Sequence, residues 1–84
     1  LKDSDPNIRR QASANQWDYF AAAQAGVFCE LGKGSVDFPG ILAEMERLGY
    51  DGWAIVEQDV LAADLDAPRQ SARRNREYLR SLGF

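Results

Sequence analysis

The clearest helical pattern in the chain lies in residues 37–49. Apolar side chains recur every three or four positions, at Phe38, Ile41, Leu42, Met45 and Leu48. This spacing puts them on one face of a helix. Asp37 precedes them as a good N-cap, and Pro39 falls in the first turn, where its missing N–H costs little. Gly49 follows, where a helix end favours glycine. We therefore predict a helix that ends at about Leu48.

A short apolar run follows this helix after a brief turn. Residues 53–56 read Trp-Ala-Ile-Val without alternation, which predicts a strand buried on both faces, as parallel strands under helices are. The connection from Leu48 is short, as helix-to-strand loops are. After Val56 the character changes abruptly to the polar Glu57-Gln58-Asp59.

A last helix is predicted to begin with Pro68 at its first position. One face carries Ala72, Asn75, Leu79 and Leu82, with Tyr78 alongside, and Gly83 ends it. The strand and its two flanking helices cannot stand alone, because a buried strand needs a neighbour on each side. Only Leu1-Lys2 offers one, and we therefore expect the chain to be part of a larger α/β fold.

The remaining segments carry weaker signals. Residues 3–15 are polar and contain Pro6, which indicates a loop. Asn15 is a candidate cap for a short helix over Gln16–Ala25, and residues 27–29 are predicted to be extended. Gly32 and Gly34 form a tight turn around Lys33, but the turn lacks the spacing of a phosphate-binding P-loop.

Composition and charge narrow the possible functions. The 84 residues include one cysteine, Cys29, and no histidine. No internal disulfide is possible, which is consistent with a cytoplasmic protein. Residues 67–84 hold five arginines and one glutamate, a net +4, whereas the rest of the chain is net −7. We interpret the arginines as a solvated helix face and expect no nucleic-acid partner. No window is long and apolar enough to predict a membrane span or a signal peptide.

Candidate functional residues lie where strands end. In parallel α/β folds the carboxyl ends of the strands meet, and functional side chains converge there. Glu57 is the first polar residue after the predicted strand, although a solvated loop acid is the plain alternative. Asp3, preceded by Lys2, stands at the end of the first strand stub, where an ion pair is the alternative. Cys29 has no histidine partner in the chain and is interpreted as a small buried hydrophobe. Glu30, beside the Gly-rich turn, is a candidate for lining a site.

Three stretches of the chain together resemble a known family. These are Gly26–Phe38, the segment Leu48-Gly49-Tyr50-Asp51-Gly52-Trp53, and the segment from Ile55 to Asp59. In order and spacing they are similar to the C-terminal part of the sugar phosphate isomerase/epimerase superfamily, whose members are xylose-isomerase-like TIM barrels. Within it the chain most resembles inosose dehydratases, with hydroxypyruvate isomerases and ketose 3-epimerases less close.

The resemblance implies a fold for the chain. Residues 1–84 would be the C-terminal portion of a single (β/α)8 barrel domain, comprising the end of strand 7, helix 7, strand 8 and helix 8. The Gly-rich turn would lie near the mouth of the barrel.

The resemblance also implies a chemistry. Glu57 would match a glutamate that binds a divalent metal (Mn, Mg or Co) and helps to move a proton. The family's remaining ligands would lie outside the chain, including a histidine directly before Leu1. Lys2 and Glu30 would contact the substrate, a sugar-like or inositol-derived ketone. A proton next to the ketone would be removed, and an inosose would then lose a β-hydroxyl. Assembly of the protein into a homo-oligomer is a further expectation, which the sequence leaves open.

Two other readings remain open. One is a small acidic interaction module without catalysis, which would use its arginine-rich helix for docking. The other is a relative of DNA-repair endonucleases with the same fold, which the acidic balance and the absent histidines disfavour.

Overall fold

The computed structural model describes residues 1–84, which form two short strands and four helices. In chain order these are β1 (Asp3–Ser4), α1 (Pro6–Ala14), α2 (Tyr19–Gln24), β2 (Phe28–Cys29), α3 (Phe38–Arg47) and α4 (Asp66–Ser81). β1 and β2 pair antiparallel, with Asp3 opposite Cys29 and Ser4 opposite Phe28. The chain is a mixed α/β piece, as predicted, and the eight-stranded barrel stays a prediction.

Helices α3 and α4 confirm the sequence pattern. The Asp37 side chain caps α3 by accepting the Gly40 N–H at 3.1 Å. Gly49 follows α3 with a φ of 67°, a conformation that glycine adopts without strain. α4 begins at Asp66, slightly before the predicted Pro68. The earlier start is explained by Asp64, whose carboxylate accepts the N–H groups of residues 66 and 67 at 2.8 and 3.2 Å.

The N-terminal region corrects two predictions. Residues 6–14 form helix α1 rather than a loop. Pro6 stands in its first turn, and the Asp5 carboxylate accepts the N–H groups of Asn7 and Ile8 at 2.8 and 3.2 Å. The prediction of a loop rested on the polar composition of the segment and missed the helix cap at Asp5. The next helix, α2, begins at Tyr19 rather than at Gln16, because Asp18 provides its cap by accepting the Ala21 N–H.

The predicted interior strand over residues 53–56 is extended but only partly paired. The Glu57 N–H donates to the Leu1 carbonyl at 3.0 Å, and the Leu1 amino group donates to the Ile55 carbonyl. These two bonds flank Val56 in the pattern of a parallel strand pair. Trp53 is 90% exposed and Ile55 71% exposed. The expectation of burial on both faces is therefore wrong for these residues, because only the opposite face, which carries Val56, packs against the core.

A small apolar core joins the turn region to the helices. Leu31, Phe38 and Leu79 are buried together, and the partly buried Leu1, Val36, Val56, Tyr78, Leu82 and Phe84 pack around them. This confirms that α4 faces the core through Asn75 and Leu79. The Asn75 side-chain oxygen accepts the buried Leu31 N–H at 2.9 Å, which explains a polar residue on the apolar face. No helix combines the length and the apolar character needed to cross a bilayer.

Candidate functional site

Lys2 and Glu57 lie side by side where two neighbouring extended segments end. The Lys2 Nζ atom lies 3.2 Å from Glu57 Oε2. It also donates a hydrogen bond to Asp59 and sits 4.6 Å from the centre of the Phe28 ring. The backbone pairing of Leu1 with residues 55 and 57 produces this meeting, because it sets the two segments in register. The Glu57 side chain is 63% exposed, so its carboxylate opens to solvent on one side.

Asp59 and Tyr19 complete this group, and sequence reasoning did not select either of them. The Tyr19 hydroxyl donates to Asp59 Oδ2 at 2.8 Å. The Asp59 pKa is lowered, first by the hydrogen bond from Lys2 and then by the bond from Tyr19. The Lys2 pKa is raised by the same bond to Asp59 and by Glu57. Both shifts favour the charged forms, so the ammonium and the Asp59 carboxylate are ionised near neutral pH. We call Lys2, Glu57, Asp59 and Tyr19 the strand-end cluster.

Asp3 has a structural position rather than one in the cluster. Its side chain is completely buried. It accepts the N–H groups of Gly32 and Gly34 on one oxygen, at 3.0 and 2.9 Å, and those of Ser4 and Val36 on the other, at 2.8 and 3.1 Å. A carboxylate surrounded by backbone donors holds a turn in place and has no face open to a ligand.

Glu30 belongs to a second, separate ion cluster. Its carboxylate accepts two hydrogen bonds from the Arg74 guanidinium, at 2.9 and 2.6 Å, and pairs with Lys33 at 2.8 Å. These cations, Arg74 first, lower the Glu30 pKa to about 2. The carboxylate therefore ties the Gly-rich turn to α4. Glu30 also lines an open cavity of about 450 Å³ between α4 and residues 60–64, so the structure does not bring it together with Lys2 and Glu57.

Cys29 is half-buried, and burial is the main cause that raises its pKa, followed by the nearby Asp3 carboxylate. A thiol with a raised pKa is a poor nucleophile near neutral pH. The position is consistent with the packing role expected from the sequence.

The chain does not by itself provide a metal centre. No three histidine, cysteine, aspartate or glutamate side chains come together in a geometry that would hold an ion. Glu57 and Asp59 offer the oxygen ligands that Mg²⁺ and Mn²⁺ prefer, but an ammonium group already stands beside both. At most Glu57 fits as one ligand of a site completed by residues beyond this sequence.

Comparison with curated proteins reveals a consistent set of relatives. The chain is 32% identical to the inosose dehydratase of Geobacillus thermodenitrificans (strain NG80-2), over 95% of this chain and 26% of that protein. It is 33% identical to the inosose dehydratase of Geobacillus kaustophilus (strain HTA426), over 98% of this chain and 26% of the relative. It is also 36% identical to the rhizopine catabolism protein MocC of Rhizobium meliloti, over 69% of this chain and 18% of the relative.

These matches confirm the resemblance that the residues indicated. The chain is similar to inosose dehydratases over nearly its whole length, and it spans about a quarter of the length of those it matches. No protein-family model matches the chain. No solved structure matches it either.

Proposed function

Starting from the similarity to inosose dehydratases, we propose that this chain supplies part of the active site of a metal-dependent enzyme acting on a sugar-like ketone. The best candidate reaction is the dehydration of an inosose (2-keto-myo-inositol). The observation that carries the proposal is the Glu57 carboxylate, which stands open to solvent at the end of the extended segment and beside the Lys2 ammonium.

We propose the following roles for these residues. Glu57 is the base: a carboxylate oxygen takes the proton from the carbon next to the ketone, and the C–H electron pair moves into the new carbon–carbon double bond. Negative charge then develops on the former carbonyl oxygen. Lys2 is the substrate-binding cation, because its ammonium donates hydrogen bonds to ketone or hydroxyl oxygens and stabilises that charge. The enolate then re-forms the ketone, its carbon–carbon electron pair expels the β-hydroxyl, and that group leaves as water with the proton that Glu57 had taken.

We propose Glu57 as one ligand of a divalent metal ion. Its carboxylate is the ligand type that suits Mn, Mg or Co, and a divalent cation supplies Lewis-acid stabilisation of the enolate when it is bound. The remaining ligands would come from residues outside this chain, since residues 1–84 hold no complete site. Glu30 is proposed as a more distant substrate contact, since none of the strand-end cluster lines its cavity.

The placement within a barrel is part of the same proposal. Residues 1–84 would form the end of strand 7, helix 7, strand 8 and helix 8 of one (β/α)8 domain of a cytoplasmic enzyme. The parallel pairing of Leu1 with the segment around Val56 supports this arrangement, because adjacent barrel strands are parallel.

Glu57→Gln in the full-length protein tests the function. Glutamine keeps the shape but removes both the basic oxygen and the negative charge. We expect turnover of 2-keto-myo-inositol to fall by about a hundredfold or more, as when a general base is removed. We also expect the divalent metal content, measured by mass spectrometry, to fall. Glu46→Gln, which changes an exposed glutamate on α3 whose side chain makes no hydrogen bond or ion pair, should leave both unchanged. A Glu57→Gln protein with normal metal content and normal turnover would remove Glu57 from the site.

A further inference from the structure

The position of the Lys2 ammonium depends on more than Glu57. A lysine side chain has four rotatable bonds and loses much conformational freedom when it is fixed. Here the Nζ atom meets three groups at once: the Asp59 carboxylate, the Glu57 carboxylate and the Phe28 ring. The ammonium donates a hydrogen bond to Asp59 and also lies within hydrogen-bonding distance of Glu57 Oε2, at 3.2 Å.

Asp59 is itself held by a second contact. The Tyr19 hydroxyl donates to the same oxygen, Oδ2, that receives the Lys2 bond. Tyr19 is the first residue of α2, whose start is capped by Asp18, and its ring packs against Phe28 with a centroid distance of 5.8 Å. Phe28 lies in turn below the Lys2 ammonium. Lys2, Asp59, Tyr19 and Phe28 therefore form a closed ring of contacts from four separate parts of the chain.

This ring has a consequence for Glu57. Two carboxylates share one ammonium, whose three N–H groups can serve both. If Asp59 were absent, the ammonium would turn to the nearest remaining carboxylate, which is Glu57. A Glu57 carboxylate that pairs with the whole ammonium, instead of sharing it with Asp59, is less available to take a proton from a substrate.

From this geometry we propose that Asp59, oriented by Tyr19, is a positioning residue that keeps the Lys2 ammonium shared between the two carboxylates instead of paired with Glu57 alone. The proposal rests on the function proposed for Glu57 and Lys2. It assigns a role to two residues that do not themselves touch the ketone.

The kinetic test uses Asp59→Ala in the full-length protein. Asp51→Ala is the matched control, because Asp51 is exposed and its side chain makes no hydrogen bond or ion pair. We expect Asp59→Ala to lower kcat on 2-keto-myo-inositol about tenfold or more with KM changed by less than about threefold, the split expected for an interaction that matters after binding. Asp59→Glu should recover part of kcat because it keeps the carboxylate, and Tyr19→Phe should lower kcat in the same direction by a smaller factor. The control should retain wild-type kinetics.

Crystal structures of wild type and Asp59→Ala test the position of the Lys2 nitrogen without any measurement of enzyme activity. We expect the Lys2 nitrogen to move onto the Glu57 carboxylate in the variant. Wild-type kcat in Asp59→Ala, or a Lys2 nitrogen that keeps its place there, overturns the positioning role. If the wild-type protein does not turn over the ketone at all, the proposed function fails, and the crystal structures still decide whether Asp59 places Lys2.

Discussion

Replacing Asp3 by asparagine tests whether a single buried carboxylate holds the turn of residues 32–36. In the native chain both oxygens of Asp3 accept backbone N–H groups, two on each, over distances of 2.8 to 3.1 Å. Asparagine has nearly the same shape but keeps only one oxygen. Whichever way the amide is turned, its NH2 group faces two buried backbone donors.

The expected cost follows from those contacts. Two hydrogen bonds to a charged acceptor are lost, each worth about 1.5–3 kcal/mol, and their donors stay buried without a partner. We therefore expect Asp3→Asn to lower the free energy of unfolding by about 3–5 kcal/mol. The side chain is fully buried, so water cannot replace the lost acceptor without opening the turn.

Urea unfolding of the full-length protein, followed by circular dichroism, measures this change. The matched control is Asp51→Asn, which removes the same charge at an exposed position and should change stability by less than about 0.5 kcal/mol. If Asp3→Asn costs less than about 1 kcal/mol while the slope against urea is unchanged, the carboxylate does not hold the turn and the reasoning is refuted.

Two further predictions concern the same region. Gly34→Ala should destabilise the protein by about 2 kcal/mol or more in thermal unfolding, because its Cβ would lie 2.2 Å from an Asp3 oxygen and cannot be accommodated without moving the turn. The control is Gly49→Ala, which has open space around it but a φ of 67° and should cost only about 1 kcal/mol. Equal costs for the two variants would contradict this steric argument. Glu30→Gln should reduce the loss of folding stability that the protein shows on acidification. The folded-state pKa of Glu30 is about 2, below the ordinary 4.5, mainly because of Arg74. The carboxylate therefore contributes stability above about pH 5 that is lost as the pH falls towards 2. Thermal unfolding at pH 5 and pH 2.5 measures this. If the variant loses as much stability between these two pH values as the wild type does, the ion cluster does not contribute.

The exposed apolar side chains of the extended segment are consistent with the barrel proposal. Trp53 and Ile55 stand open to solvent although their composition predicts a buried strand. An unpaired strand edge with large apolar side chains is unfavourable in water. A neighbouring strand and helix from residues beyond this chain would cover both, which is the arrangement proposed above.

Features whose causes lie within a few residues could be predicted directly from the order of the amino acids. Asp37 and Gly49 mark the two ends of α3, and the face of α4 that carries Asn75 and Leu79 follows from helical spacing. Caps and amphipathic faces are local, so their physics is readable along the chain. The start of α1 at Asp5-Pro6 was equally local, and its polar composition alone led to the wrong prediction of a loop.

Which polar residues meet depends on how distant parts of the chain pack together. Nothing in the neighbourhood of Asp3 indicates that its carboxylate accepts backbone groups about thirty positions later, which turns a candidate site residue into a structural one. Likewise Lys2 reaches Asp59 across 57 positions, and Tyr19 reaches it across 40. Such contacts depend on how the separate elements pack and on which strands pair, and no local pattern of residues encodes that register.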